Sequence, residues 1–234
     1  MLKFETECCH WRKSNQITSV GHCTPAGITN FVDRHQVLLI PGYYTLTMTE
    51  NNPILPGFPE KESADLLRIS KIKSVEKDEF FISEGQVPRK FAIVLSGCFR
   101  YYYVNEKGDE FTKGFILKNA VLSAYSAMAQ GTPSLFNIQA LEQSQILEVN
   151  YQSWLQLRSS NIFWDRFLIQ ALEKGYFTKE KREREFLLLD ATSRYKIFRS
   201  EFPGLDKTVK LHIIASYIGI QPESLSRIRK KLEN

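Results

Sequence analysis

The fold of this chain is decided near its C-terminus by the stretch IASYIGIQPESLSRIRKKL, residues 214–232. Apolar residues recur at helical spacing on both sides of Gly219, and glycine readily adopts the backbone conformation of a tight turn. Pro222 stands where the first position of a helix accepts proline. The apolar stripe of the second helix consists of Leu225, Ile228 and Leu232. The stretch therefore predicts two short helices joined by a glycine turn.

A further helix is predicted before this pair. Asp190 or Thr192 can cap its first backbone N–H groups, and it should run to about Phe202. Residues 190–234 carry nine lysines and arginines against five acids, so +4 of the net charge of +5 lies in this last fifth of the chain. Such a basic module indicates a polyanionic partner, although a solvated charged face would have the same composition.

The exposed positions of the last helix carry side chains that suit DNA. In a major groove, arginine bonds the acceptors of guanine, glutamate accepts from the amino group of cytosine, and serine donates to a base or a phosphate. Lysines hold phosphates without reading sequence. We therefore predict that bases are read by Glu223, Ser226 and Arg227. Contacts to the DNA backbone are expected from Gln221, Arg229, Lys230 and Lys231.

Residues 73–149 show a different pattern, with short β-type runs separated by turns. The runs are Phe80–Ile82, Phe91–Leu95, Phe99–Val104 and a last one, Asn137–Val149. Glycines at 85, 97 and 108 mark the turns at a regular spacing. This spacing predicts antiparallel strands in a small sandwich or barrel.

Helical periodicity returns after Asn150. The apolar residues Phe163, Phe167, Ile169 and Leu172 precede mixed charges at 179–185 and predict a long amphipathic helix. Gly175 weakens the prediction of continuity, because glycine costs about 1 kcal/mol relative to alanine inside a helix. The apolar stripe either packs on its own chain or on the same helix of a second copy. The position of the helix between two domains favours the second interpretation.

Residues 214–232 closely resemble the helix-turn-helix of the Crp/Fnr superfamily of bacterial regulators, and Glu223, Ser226 and Arg227 match its Glu-x-x-Ser-Arg base-reading set. Earlier segments look like turns of the family's cyclic-nucleotide-type β-roll: Glu84-Gly85, Leu95-Ser96-Gly97 with Arg100, and Lys107-Gly108-Asp109-Glu110. The resemblance covers about residues 53–232. It implies an α+β fold with an N-terminal antiparallel β-roll of the double-stranded β-helix or jelly-roll type, a long dimerisation helix and a C-terminal helix-turn-helix domain.

The ligand pocket of the family is where this sequence departs from the pattern. Members that bind cyclic nucleotides carry a Gly-Glu pair and an Arg-Ser or Arg-Thr pair in the segment corresponding to Phe115–Leu141. This chain has Leu117-Lys118-Asn119-Ala120 and Pro133-Ser134-Leu135-Phe136 there. A phosphate buried without the arginine would keep a poorly compensated charge, so we expect no cyclic AMP binding of the usual kind. Lys118 is interpreted as a surface lysine, and the effector stays unknown.

Metal, cofactor and enzyme chemistry are not predicted. The cysteines, Cys8, Cys9, Cys23 and Cys98, lack CxxC spacing, so neither a metal nor an iron–sulfur cluster is expected. The histidines, His10, His22, His35 and His212, are scattered, and no nucleophile motif or phosphate loop accompanies them. The sequence has no apolar run of membrane-spanning length and no signal peptide, which predicts a cytoplasmic protein without membrane association.

The predicted organisation has four parts. They are an unassigned extension at 1–47 with Met48 as the expected natural start, a β-roll sensor domain at 53–158, a dimerisation helix at 159–188 and a helix-turn-helix domain at 190–234. The predicted function is sequence-specific transcription regulation by a homodimer that reads an inverted repeat in double-stranded DNA, with RNA polymerase as a further candidate partner. The alternative is a sensor or protein-interaction module whose helix-turn-helix has lost DNA binding.

Overall fold

The computed structural model describes Leu55 and residues 57–233. The predicted extension at 1–47 and its Met48 start lie outside the described residues. The described helices are α1 (Glu60–Arg68), α2 (Tyr125–Gln130), α3 (Tyr151–Arg158), α4 (Ile162–Leu188), α5 (Ala191–Glu201), α6 (Leu205–Thr208), α7 (Leu211–Ile218) and α8 (Pro222–Glu233). The strands are β1 (Ser70–Val75), β2 (Phe80–Ile82), β3 (Lys90–Ser96), β4 (Phe99–Val104), β5 (Glu110–Ile116), β6 (Val121–Leu122), β7 (Asn137–Ala140) and β8 (Ser144–Asn150).

The strands form two four-stranded antiparallel sheets, ordered β1-β8-β3-β6 and β2-β7-β4-β5. Alternate residues of both sheets face a shared apolar core, as expected for half-buried strands. That core includes Val94, Phe99, Leu122, Ile138 and Ile146. The antiparallel β-roll followed by helices confirms the predicted α+β class.

One predicted run was wrong in its connectivity. Asn137–Val149 is two strands that belong to different sheets, because β7 pairs with β2 and β4 whereas β8 pairs with β1 and β3. The chain crosses between the sheets at Leu141, whose backbone N–H donates to the carbonyl oxygen of Cys98 at 2.8 Å. The residues between the two strands, Leu141-Glu142-Gln143, include neither glycine nor proline, so the sequence carried no turn signal there.

Helix α4 is continuous over its 27 residues and passes through Gly175 without a break. Its first turns pack on the chain itself, since the rings of Phe163 and Phe167 lie 5.8 and 5.3 Å from that of Phe58. Farther along, large apolar side chains are exposed: Ile169, Leu172, Tyr176 and Phe177. The apolar stripe predicted from the sequence is therefore divided into an internal part and an exposed part.

The C-terminal helices share an apolar core that includes Tyr195, Phe198, Ile214, Ile218 and Leu225. The Asp190 side chain caps α5 by accepting a hydrogen bond from the backbone N–H of Ser193 at 2.7 Å, and this bond lowers the pKa of Asp190. The short helix α6 was not predicted. Within the described part of the chain, no helix is long and apolar enough to cross a membrane.

Candidate nucleic-acid interface

Helix α8 separates an apolar face from a charged one. Leu225 is fully buried on the first face, while Glu223 and Arg227 are exposed on the other. Lys230, Lys231 and Gln221 are also exposed, and Ser226 is half-buried. Glu223 and Arg227 lie one helical turn apart, and neither forms an ion pair with any residue of 57–233. Among the described residues, Arg227 donates only to the hydroxyl of Ser224, at 3.3 Å. The hydrogen-bonding capacity of this face is therefore largely free.

Arg229 is arranged differently from the other cations of α8. It is half-buried, and its Nη2 donates to the backbone oxygen of Asp206 at 3.0 Å. Its guanidinium carbon lies 5.7 Å from the centre of the Tyr195 ring. These contacts tie α8 to α5 and α6, so Arg229 is engaged inside the domain, unlike the exposed Lys230 and Lys231.

The turn between α7 and α8 is closed by its own backbone. Gly219 has a φ of +80°, and the N–H groups of Gly219 and Ile220 donate to the carbonyl oxygen of Ala215 at 2.8 and 3.0 Å. This left-handed geometry favours glycine because a Cβ would be strained there. The turn therefore sets the direction in which α8 leaves α7.

Two lysines beside the start of α7 were missed as individual interface residues. Lys207 and Lys210 are exposed, and neither forms an ion pair with the described residues. In helix-turn-helix proteins the first helix crosses the DNA backbone, which makes these positions suited to phosphates. The sequence showed their charge, but their place became evident only once α6 and α7 were defined. His212 on α7 is exposed, and it forms no hydrogen bond with the described residues.

In the segment that corresponds to the family's ligand pocket, the chain's own side chains contact one another. The Tyr101 hydroxyl accepts a hydrogen bond from the Ser123 N–H at 2.8 Å, and the Phe136 ring lies 5.3 Å from that of Tyr101. The nearby cation is Lys113, whose Nζ lies 4.1 Å from the centre of the Phe136 ring and whose pKa is lowered by desolvation. No arginine occurs in the sequence between Arg100 and Arg158.

Arg100, which matches a family turn, does not face that segment. Arg100 and Phe115 are paired across β4 and β5, and Phe115 packs with the C-terminal helices rather than in the core of the roll. The Arg100 side chain is 3 % exposed, forms an ion pair with Glu110 and stacks 3.8 Å from the Tyr102 ring. Arg100 therefore lies on the outer face of the sheet, which packs against the C-terminal helices.

The one cysteine that the described residues contain, Cys98, is buried. Burial is the main cause that raises the pKa of its thiol to about 12, with a smaller contribution from Glu142. A thiol of this kind stays protonated and unreactive at neutral pH. Among the described residues, no group of three or more His, Cys, Asp or Glu side chains is placed to hold a metal ion.

The β-roll and the glycine-turn helix pair give the arrangement that the sequence predicted for a DNA-binding regulator. Residues 72–161 match the cyclic nucleotide-binding domain family. The chain is 26% identical over 174 residues to electron transport regulator A of Shewanella oneidensis, covering 68% of each chain. It is also 26% identical over 175 residues to the fumarate and nitrate reduction regulatory protein of Escherichia coli, again over 68% of each.

Solved structures share the same fold. FixK2 from Bradyrhizobium japonicum superposes with a TM-score of 0.62 at 18% identity, covering 70% of this chain and 85% of that one. The c-di-GMP responsive global regulator CLP of Xanthomonas campestris gives 0.61 at 16% identity, covering 75% and 92%. The chain is therefore similar to Crp/Fnr regulators in sequence and in fold, and these similarities support the DNA-binding regulator role that its sequence predicted.

Proposed function

We propose that the chain reads an inverted repeat in double-stranded DNA as a homodimer, with α8 lying in the major groove. The observation that carries this proposal is the free face of α8, where exposed Glu223 and Arg227 stand one turn apart over a buried apolar stripe. Glu223, Ser226 and Arg227 then contact base edges. Phosphates are contacted by Gln221, Lys230 and Lys231. Arg229 contributes mainly by holding α8 in place.

The second copy is proposed to pack along α4. Ile162, Ile169 and Tyr176 are 61%, 51% and 63% exposed and follow one another at intervals of seven residues, with Leu172 between the last two. A seven-residue apolar repeat is what a helix presents to a parallel partner in a coiled coil. A two-fold dimer of this kind would place its two recognition helices about 34 Å apart, one turn of DNA.

Within this function, residues 53–158 form the sensor, 159–188 the dimerisation helix and 190–234 the DNA-binding domain. The sensor is proposed to act without cyclic AMP, because the Tyr101 and Phe136 rings pack together there and the segment itself contains no arginine. We further propose a cytoplasmic, non-enzymatic protein that acts together with RNA polymerase. Both relatives are named as regulators, which supports a regulatory rather than an enzymatic role.

Selection of random duplex DNA on the purified protein tests the function. We expect an enriched inverted repeat with half-sites about 10 base pairs apart, bound with a steep salt dependence. Enrichment that appears only in the presence of cell extract would indicate a required effector. No enrichment under either condition would favour the alternative, an interaction module that has lost DNA binding.

Substitution on α4 tests the dimer. Ile169→Glu places a charge within the exposed apolar repeat and should convert the dimer to a monomer in sedimentation velocity. Gln170→Glu, at the next and also exposed position, adds the same charge outside the repeat and should leave the dimer intact. Equal behaviour of the two variants would place the dimer interface elsewhere.

A further inference from the structure

Two arginines from outside the helix-turn-helix bind the C-terminal carbonyl groups of α7. Arg182 of α4 donates from Nη2 to the carbonyl oxygen of Tyr217 at 2.7 Å. Arg194 of α5 donates from Nε to the carbonyl oxygen of Ile218 at 2.9 Å. The last carbonyl groups of a helix lack intrahelical partners, and cations are stabilising near them. The last turn of α7 is therefore held by neighbouring helices as well as by the glycine turn.

Arg182 also contacts the sensor. The same Nη2 lies 3.4 Å from the carbonyl oxygen of Thr112 in β5, and the guanidinium carbon lies 3.5 Å from the centre of the Tyr217 ring. The side chain thus contacts β5 and α7 from its place on α4. Burial lowers the pKa of Arg182, as expected for a cation covered on several sides.

One turn later on α4, Phe186 fills the space that Gly219 leaves open. A Cβ at Gly219 would lie 2.5 Å from Cε1 of Phe186. The guanidinium groups of Arg182 and Arg194 lie 4.8 and 5.0 Å from the centre of the Phe186 ring. A side chain at this position would therefore displace the Phe186 ring, in addition to straining the left-handed backbone of the turn.

Beside Arg182, α7 is hydrogen-bonded directly to the sheet. The Ser216 hydroxyl donates to the carbonyl oxygen of Glu110 and accepts from the N–H of Thr112, both at 2.8 Å. Phe115 of β5 packs 5.1 Å from the Tyr217 ring. Polar atoms are nonetheless left over: Thr112 Oγ1 and the Nε and Nη1 of Arg100 are buried without a hydrogen-bond partner among the described residues. Unsatisfied groups make a buried contact easier to open.

We propose that Arg182 is a positioning residue for DNA recognition, which fixes the α7–α8 turn to β5 so that a movement of β5 changes the direction of the recognition helix. This inference rests on the proposed function of α8. It gives Arg182 a role distinct from Arg227, because Arg182 binds carbonyl groups of this chain and Arg227 faces outward.

The test compares Arg182→Met with Arg184→Met. Methionine keeps the apolar stem of Arg182 and removes its donors, whereas Arg184 is exposed on the same helix and makes no polar contact with the described residues. Hydrogen exchange of the full-length protein is measured over residues 110–116 and 211–221. Arg182→Met should raise exchange in both segments about tenfold, a coupling of the usual size between linked elements. Arg184→Met should leave both unchanged.

DNA binding supplies the second readout. Arg182→Met should weaken binding to the selected duplex about tenfold while binding to random duplex changes less than about twofold, since phosphate-facing cations are retained. If Arg182→Met exchanges faster but keeps its specific binding, Arg182 does not position α8 for recognition. If exchange is unchanged, Arg182 does not hold α7 to β5. Arg227→Ala separates the proposals, because it should reduce specific binding without changing exchange in either segment. If Arg227→Ala leaves specific binding intact, the proposed function of α8 fails, whatever the exchange shows.

Discussion

Helices α7 and α8 are neighbours in sequence, yet they relate to their surroundings in opposite ways. Five of the eight residues of α7 are buried, and α7 bonds to β5 through Ser216. Helix α8 buries Leu225 and exposes Glu223, Arg227, Lys230 and Lys231. The side chains proposed to read DNA therefore lie on α8, whereas α7 mainly fixes the domain. Substitutions at buried positions of α7 should act on stability, and those at exposed positions of α8 should act on recognition.

The largest effect is expected in α7. Ile214 is fully buried, so Ile214→Ala should lower the free energy of unfolding by about 2–5 kcal/mol. Urea unfolding followed by circular dichroism measures this loss. Ile220→Ala, at a half-buried position in the turn, is the matched control and should cost less. Equal losses in the free energy of unfolding at the two positions would show that the buried face of α7 does not fix the domain.

Arg227→Ala should produce the opposite pattern. We expect a loss of about 1–3 kcal/mol in binding to the selected duplex, because a bidentate contact to guanine is removed. The free energy of unfolding should stay within about 0.5 kcal/mol of the original, since the side chain is exposed. Titration of fluorescent duplexes measures the first quantity. An equal loss on random DNA would refute base reading by Arg227.

Cys98 tests the stability of the apolar cluster that includes α7, because its side chain is buried there. The unfolded thiol ionises near 9 and the folded one near 12, so the unfolded state loses its proton first. Stability should therefore fall as pH rises above 9, by about 1.4 kcal/mol per pH unit from this group. Urea unfolding of Cys98→Ala across the same pH range should show a shallower decline. Identical slopes would contradict a buried neutral thiol.

Lys230→Ala is expected to have the smallest effect. It should weaken binding to all duplexes similarly and lower the slope of log affinity against log salt by about 1, because one phosphate contact is lost. Lys71→Ala, at an exposed position of β1, serves as control and should leave the slope unchanged. A loss confined to the selected duplex would instead assign Lys230 to base reading.

The sequence predicted α8 and the β-roll well because both depend on local periodicity. Gly219, Pro222 and the Leu225 stripe define the glycine-turn pair without any knowledge of the rest of the chain. The crossover between β7 and β8 was missed, since residues 141–143 contain no glycine or proline to signal a turn. The contacts of Arg182 and Arg229 were also beyond prediction. Their partners, Thr112, Tyr217 and Asp206, lie 23 to 70 residues away, and no spacing rule connects them.

Methylation interference at guanine N7 on the selected duplex shows whether Arg227 reads bases in the major groove. If α8 reads guanine through Arg227, one guanine in each half-site, about 34 Å apart, should block binding when methylated. These two guanines should lose their effect with the Arg227→Ala variant, while other interference positions remain. The same interference pattern for both proteins would contradict the assignment of Arg227 as a base-reading residue.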